Sequence, residues 1–166
     1  ELVDQATKTF RELWPRATVG RYVESMKQGN AFVVCGSIQS VALNLERFKP
    51  DDFGYIIVDE AQFLTREEVM YLVGLVDDLG IPVICYGLRT DFKGELFPGS
   101  AELLATADVI EEVKTICWCG KKAAFNARFD AAGKVLKEGE QVVLGANDKY
   151  IGLCRKHWKE GNLGPQ

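Results

Sequence analysis

Leu2, Val3, Ala6, Phe10 and Leu13 recur at helical spacing and predict an amphipathic helix over residues 2–13, ended by Trp14-Pro15. A strand is expected over Thr18 to Val23 and a turn over Lys27 to Asn30. Ala31 to Cys35 is a short apolar run, the mark of a buried strand. Ser37 then caps a helix whose apolar face is Ile38, Val41, Ala42, Leu45 and Phe48. A second buried strand, Tyr55 to Val58, runs directly into Asp59-Glu60. Thr65 with Glu68 three residues on makes a capping box. The helix it opens buries Val69, Leu72, Val73, Val76 and Leu79, and Gly80 stops it. Ile81 to Tyr86 is the third strand, with Pro82 near its start, where a missing N–H matters least. A loop over Leu88 to Gly99, a short helix over 100–107 and a last strand at Val109-Ile110 follow. Apolar strands alternating with amphipathic helices predict an α/β fold, a parallel sheet with helices on both faces.

Beyond Lys114 the segments shorten, with a β-like run at 123–129, a turn at 131–134 and a strand at 141–144. Charge breaks at the same place: residues 1–54 are neutral, 55–113 carry −9 and 114–166 carry +5. This divides the chain into an α/β core over 1–113 and a small module over 114–166. The net charge of −4 over 166 residues argues against a nucleic-acid partner held by bulk positive charge. No apolar run reaches membrane-spanning length and the first residues do not read as a secretory signal, so no membrane partner is expected.

An apolar strand that ends in Asp59-Glu60 places two carboxylates where parallel sheets bind ligands, beyond the carboxyl ends of their strands. It is the Walker B arrangement, in which the aspartate holds Mg²⁺ on a nucleotide and the neighbouring glutamate can serve as a base. The plain alternative is a solvated loop. The phosphate cradle that completes such a site, Gly-x4-Gly-Lys-Ser/Thr, is absent from these residues: neither Gly120-Lys121 nor Gly133-Lys134 is followed by Ser or Thr. Cys35-Gly36-Ser37 lies between a strand and a helix, where a simple cap is the expected role.

The five cysteines are Cys35, Cys85, Cys117, Cys119 and Cys154, and the sole histidine is His157. An odd count without a leader favours metal binding over disulfides. Cys117-x-Cys119 and Cys154-x-x-His157 make two ligand pairs, which together predict a four-ligand structural zinc site. The alternative is free buried thiols, the reading given to Cys35 and Cys85.

Ile57 to Leu64, Ile81 to Phe97, Lys114 to Gly120, Gly139 to Gly145 and Tyr150 to His157 together resemble a bacterial type II thymidine kinase, over residues 55–166. The resemblance implies transfer of the ATP γ-phosphate to the 5′-hydroxyl of thymidine. Glu60 would be the catalytic base, Asp59 would position Mg²⁺, and Gln62 would line the phosphate side. Phe63, Leu88, Phe92, Phe97 and Tyr150 would surround the thymidine. Gln141, Val142 and Val143 would present backbone groups to the thymine edge from a lasso anchored by zinc on Cys117, Cys119, Cys154 and His157. The family implies a cytoplasmic homotetramer with ATP, Mg²⁺ and structural zinc, and a P-loop-NTPase-like (RecA-like) core.

Residues 1–60 instead resemble the first motor domain of a superfamily 2 helicase, through Glu1 to Ala6, Leu13-Trp14-Pro15, Val33 to Ser40 and Phe53 to Ala61. A chimera joined at the Asp59-Glu60 strand is expected, with phosphoryl transfer impaired because no P-loop is present. A non-catalytic nucleoside-binding or scaffold domain and a helicase-derived ATPase fragment are the competing expectations.

Overall fold

In the computed structural model, which describes residues 2–37, 40–41, 47, 49, 52–141 and 149–165, the chain forms two compact units. One comprises Glu1–Ile56 and Met70–Ile84, the other Ile57–Val69 and Cys85–Gln166.

In the first unit α1 spans Leu2–Leu13, as the spacing predicts. The expected face is half-buried at Val3 and Ala6 and is exposed at Phe10 and Leu13. Thr7 is buried, its Oγ1 donating to the Val3 carbonyl at 2.6 Å, whereas Leu13 is 78% exposed. The helix packs on β1 (Val19–Val23) and β3 (Val33–Gly36), and Arg11 donates to the Val19 carbonyl at 3.1 Å. β1 is the middle strand: it pairs in parallel with β3, Val19 opposite Val33, and antiparallel with β2 (Met26–Lys27), Tyr22 opposite Lys27. The chain reverses first at Glu24-Ser25, a connection so tight that it can join only antiparallel strands, and again between β2 and β3, the stretch that takes in the expected 27–30 turn. Ser37 caps as expected, its Oγ accepting from the Ser40 N–H at 3.3 Å. Of the face assigned to the helix it opens, Val41 is described, and Ile38, Ala42, Leu45 and Phe48 lie outside the described residues.

β4 (Ile56–Val58) and β5 (Val83–Cys85) form a two-stranded sheet. Among the described residues the strands make three separate sheets instead of the one parallel sheet expected from the alternation of elements. Helix α2 covers Arg66–Asp77. Its capping box forms in both directions: Glu68 N–H reaches Thr65 Oγ1 at 3.2 Å, and Thr65 N–H reaches Glu68 Oε2 at 2.9 Å. Val69, Leu72 and Leu75 are its buried residues; Leu79 lies past the helix end and is exposed. Gly80 ends the helix in the left-handed region at φ 67°.

The second unit opens with a 3₁₀ turn, Ala61–Phe63, followed in its later segment by α3, Pro98–Thr106. α3 starts at Pro98, whose fixed φ and missing N–H suit a first helical position. Val109 and Ile110 form no strand and are 75% and 60% exposed. β6 (Phe125–Phe129) pairs antiparallel with β7 (Lys149–Leu153), Ala127 opposite Ile151 and Arg128 opposite Tyr150. The expected turn after β6 is present: Asp130 Oδ1 accepts from the Ala132 and Lys134 N–H groups, and Gly133 takes φ 77°. Helix α4 is Arg155–Glu160. Cys117, Ala127, Val135, Leu153 and Cys154 form a small core, with Trp158 and Leu163 against it. Trp158 stacks on Phe125 at 4.2 Å and donates its indole N–H to the Phe92 carbonyl at 3.0 Å, which fixes the 114–166 segment onto the loop after β5. No described helix is long and apolar enough to cross a membrane.

Candidate functional site

The acidic pair follows β4 directly. Glu60 adopts φ 53°, ψ 35°, the left-handed region that a glutamate enters only when its surroundings hold it there. Its own N–H donates to Asp59 Oδ1 at 2.9 Å, and its carbonyl accepts from the Phe63 N–H at 3.1 Å to start the 3₁₀ turn. The Glu60 carboxylate receives the side-chain amide of Gln62 at 2.5 Å. Gln62 is itself buried, and its Oε1 accepts the Leu88 N–H at 3.0 Å. The Leu88 carbonyl in turn accepts from Ser100 Oγ at 2.6 Å. A chain of hydrogen bonds thus runs from the exposed Glu60 through Gln62 and Leu88 to α3.

Two glycines make this approach possible. A Cβ on Gly87 would stand 2.6 Å from Gln62 Oε1, and one on Gly99 would stand 2.6–2.9 Å from the carbonyls of Ala61, Leu64 and Gln62. The arrangement leaves Asp59 and Glu60 exposed as two adjacent oxygen donors. Hard oxygen ligands of this kind suit Mg²⁺.

The residues assigned to the nucleoside fall in different environments. Phe63 and Leu88 are exposed, at 55% and 43%, while Phe97 is buried and meets Phe63 edge-on at 5.7 Å. Phe92 is buried, with the Arg128 guanidinium 4.0 Å from its ring centre. Tyr150 is exposed on β7. Gln141 donates its side-chain amide to Asp91 Oδ2 at 3.2 Å. Val142 and Val143 lie outside the described residues.

Two buried charged residues were not singled out from the sequence, Asp91 and Arg128. Asp91 closes a turn: its Oδ1 accepts the N–H groups of Lys93 and Glu95, both at 2.9 Å. The signal was present in Asp91-Phe92-Lys93-Gly94, an Asp at the first and a Gly at the fourth turn position. Arg128 donates to the Glu140 carbonyl at 3.1 Å. Nothing local marks it, since its partner lies on another segment.

Cys117, Cys119, Cys154 and His157 come together as the spacing predicts, their ligand atoms all within 4.8 Å of one another. Cys117 Sγ lies 3.4 Å from His157 Nδ1, and the Cys119 and Cys154 sulfurs are 4.0 Å apart. Tetrahedral zinc, with bonds of about 2.3 Å to sulfur and about 2.0 Å to nitrogen, sets such atoms about 3.5–3.8 Å apart, so the cluster fits that ion. The chain makes the short Cys117-x-Cys119 step through a tight turn, with Gly120 at φ 82° and its N–H on the Cys117 carbonyl. Burial pushes the Cys117 thiol up. Backbone hydrogen bonds from Cys119 and Cys154, with the His157 ring and the Cys119 thiol, outweigh it and bring Cys117 down to about 6. A thiol poised toward thiolate is the form that ligates metal. Trp118 stacks on the His157 ring at 4.3 Å and 10°.

A family model for thymidine kinase matches residues 21–158. The thymidine kinase of Jannaschia sp. (strain CCS1) is 56% identical over 114 residues, 69% of this chain and 58% of that protein. That of Legionella pneumophila (strain Lens) is 54% identical over 112 residues, 68% of this chain and 54% of that protein. That of Escherichia coli (strain K12) is 59% identical over 105 residues, 63% of this chain and 51% of that protein. The chain spans about half the length of these curated relatives. The family match begins at residue 21, well inside the stretch 1–60 that resembles a helicase motor. The match spans the Asp59-Glu60 strand without a break and gives no support to a change of family there. The helicase-like features are short, and an apolar strand delivering Asp-Glu is common to many nucleotide-handling folds. The chain belongs to the thymidine kinase family.

Proposed function

We propose that this chain carries the acidic pair and the nucleoside side of a thymidine kinase, which transfers the γ-phosphate of ATP to the 5′-hydroxyl of thymidine. The observation that carries the reading is the Glu60 carboxylate held by the Gln62 amide at the end of β4. Glu60 is the base that takes the proton of the attacking hydroxyl. Asp59 is the residue that would hold Mg²⁺, an ion that neutralises charge on transferring phosphates when bound. Gln62, expected to line the phosphate side, acts there through Glu60, since both ends of its amide are engaged. Phe63, Leu88, Phe92, Phe97 and Tyr150 form or back the thymidine pocket, and Gln141, Val142 and Val143 give backbone groups to the base.

The Cys117, Cys119, Cys154 and His157 cluster holds a structural zinc. Four protein ligands leave no open position, so the ion supplies folding energy and not chemistry. The reading extends to a RecA-like core, a homotetramer and a cytoplasmic setting, each implied by the family.

The 166 residues contain no Gly-x4-Gly-Lys-Ser/Thr loop, and phosphoryl transfer by these residues alone is proposed to be impaired on that account. One lost preorganised donor costs about 10²–10³ in rate. In a coupled assay with thymidine and Mg-ATP, the 166-residue chain alone is expected to turn over at least about 100-fold more slowly than the Escherichia coli relative run beside it. Turnover near that of the relative would overturn this impairment. The same missing loop favours a second reading, a nucleoside-binding domain without catalysis. Calorimetric titration with thymidine keeps both readings if heat is released, and absence of both binding and turnover rejects them.

A further inference from the structure

We infer that Cys119 and Cys154 form an oxidation site: a hydroperoxide joins their sulfurs in a disulfide that expels the zinc and takes over its cross-link. The inference rests on the zinc reading of the cluster. The four ligands are not equally reachable. Cys117, Cys154 and His157 are 1%, 6% and 8% exposed, whereas Cys119 is only half-buried. A small oxidant therefore meets Cys119 first. Its sulfur stands 4.0 Å from that of Cys154, while Cys117 Sγ lies 3.4 Å from His157 Nδ1. A disulfide needs about 2.05 Å between sulfurs, so the pair closes by about 2 Å. The rival bond, Cys117 to Cys119, would close a ring over Trp118 alone. That residue is stacked on His157 at 4.3 Å and donates to the Asn162 carbonyl at 3.2 Å, contacts that resist the twist so small a ring demands.

The chemistry takes two steps. The Cys119 thiolate attacks a peroxide oxygen: an S–O bond forms, the O–O bond breaks, and hydroxide leaves a sulfenic acid behind. The Cys154 thiolate then attacks that sulfur: the S–S bond forms, the S–O bond breaks, and a second hydroxide leaves. The two thiolates give two electrons to the peroxide, and both hydroxides take up protons to become water. Cys117 and His157 are then the remaining donors, two where structural zinc takes four, so the ion is lost. The cross-link is not. Zinc would tie the turn ending at Gly120 to the start of α4, and a Cys119–Cys154 bond ties the same two places. Oxidation and chelation thus both remove the metal but leave different molecules. The core of Ala127, Val135 and Leu153 stays stapled in the first and is released in the second.

The test treats the reduced, zinc-loaded chain with hydrogen peroxide beside a coloured zinc chelator. Free thiols are then alkylated and the digested chain is mapped by mass. The expected result is one zinc released per chain and linked peptides joining Cys119 to Cys154. Cys35, Cys85 and Cys117 should be found alkylated, and dithiothreitol with zinc should restore the starting state. Hydrogen exchange at the β6 and β7 amides should stay slow in the oxidised, metal-free chain and become fast in the reduced, chelated one. Zinc retained under peroxide, a bond through Cys117, or release with sulfinic acid at Cys119 and no linked peptides overturns the site. Equally fast exchange in the two metal-free forms overturns the transfer of the cross-link. Each of these leaves the zinc reading in place, whereas a reduced chain that never takes up zinc overturns that reading and the expulsion with it.

Discussion

Gln62 holds Glu60: the buried amide donates to the exposed carboxylate at 2.5 Å while its other end takes the backbone N–H of Leu88. The glutamate sits in a left-handed conformation that costs of order 1–3 kcal/mol in a residue with a side chain. Such strain persists only where neighbours over-determine it. The Gln62 amide and the 3₁₀ turn are those neighbours.

Gln62→Leu is therefore expected to destabilise the chain by about 1–3 kcal/mol, the cost of two lost hydrogen bonds partly offset by the apolar replacement. The urea midpoint should fall with an unchanged slope. A midpoint equal to that of wild type would show that Glu60 keeps its place without the amide.

Gly99→Ala tests the same junction from the other side. The added methyl would meet three backbone carbonyls at 2.6–2.9 Å, and backbone cannot swing aside as a side-chain tip can. Overpacking of this kind costs about 1–3 kcal/mol, and α3 should shift away from the 3₁₀ turn. Gly54→Ala, which meets nothing within 4 Å, is the control and should leave the thermal midpoint within a degree or two.

Thr65→Ala removes one half of the capping box on α2 and is expected to cost about 0.5–2 kcal/mol. Thr65→Ser, which keeps the hydroxyl, should recover most of it. Equal midpoints for the two variants would mean that water replaces the cap without loss.

What the sequence revealed and what it hid differ by range. The capping box needs only Thr65 and Glu68, and the metal cluster needs only two close pairs, so both were legible as spacing. The Glu60–Gln62 bond was within reach too, two residues apart, but nothing in Asp-Glu-Ala-Gln says that Gln62 turns inward. Asp91 and Gln141 are fifty residues apart, and their pairing depends on how the 114–166 segment seats on the turn after β5. The same holds for Arg128 over Phe92. On α1 the periodicity gave the helix and its bounds but extended its buried face too far, to Phe10 and Leu13, and missed Thr7, which can be buried because its hydroxyl is satisfied within the helix. β2 was missed, since Met26-Lys27 carries no strand signal of its own.

The zinc-loaded chain is expected to hold one zinc per molecule, and chelation should melt the small core around it, because Cys117 and Cys154 belong to both. Trp118 touches the site without ligating. Its indole lies flat on the His157 ring at 4.3 Å, and its Nε1 donates to the Asn162 carbonyl at 3.2 Å, so it fixes the plane in which His157 presents Nδ1. Groups that orient a ligand in this way are worth about 10–100-fold in metal affinity. Trp118→Ala should lower zinc affinity by that factor, measured in competition with a coloured chelator, with stoichiometry still one per chain. Trp118→Phe keeps a stacking face but loses the bond to Asn162, and should fall between the two. If Trp118→Ala bound zinc as tightly as wild type, His157 would be held by the metal alone, and the stack would be packing.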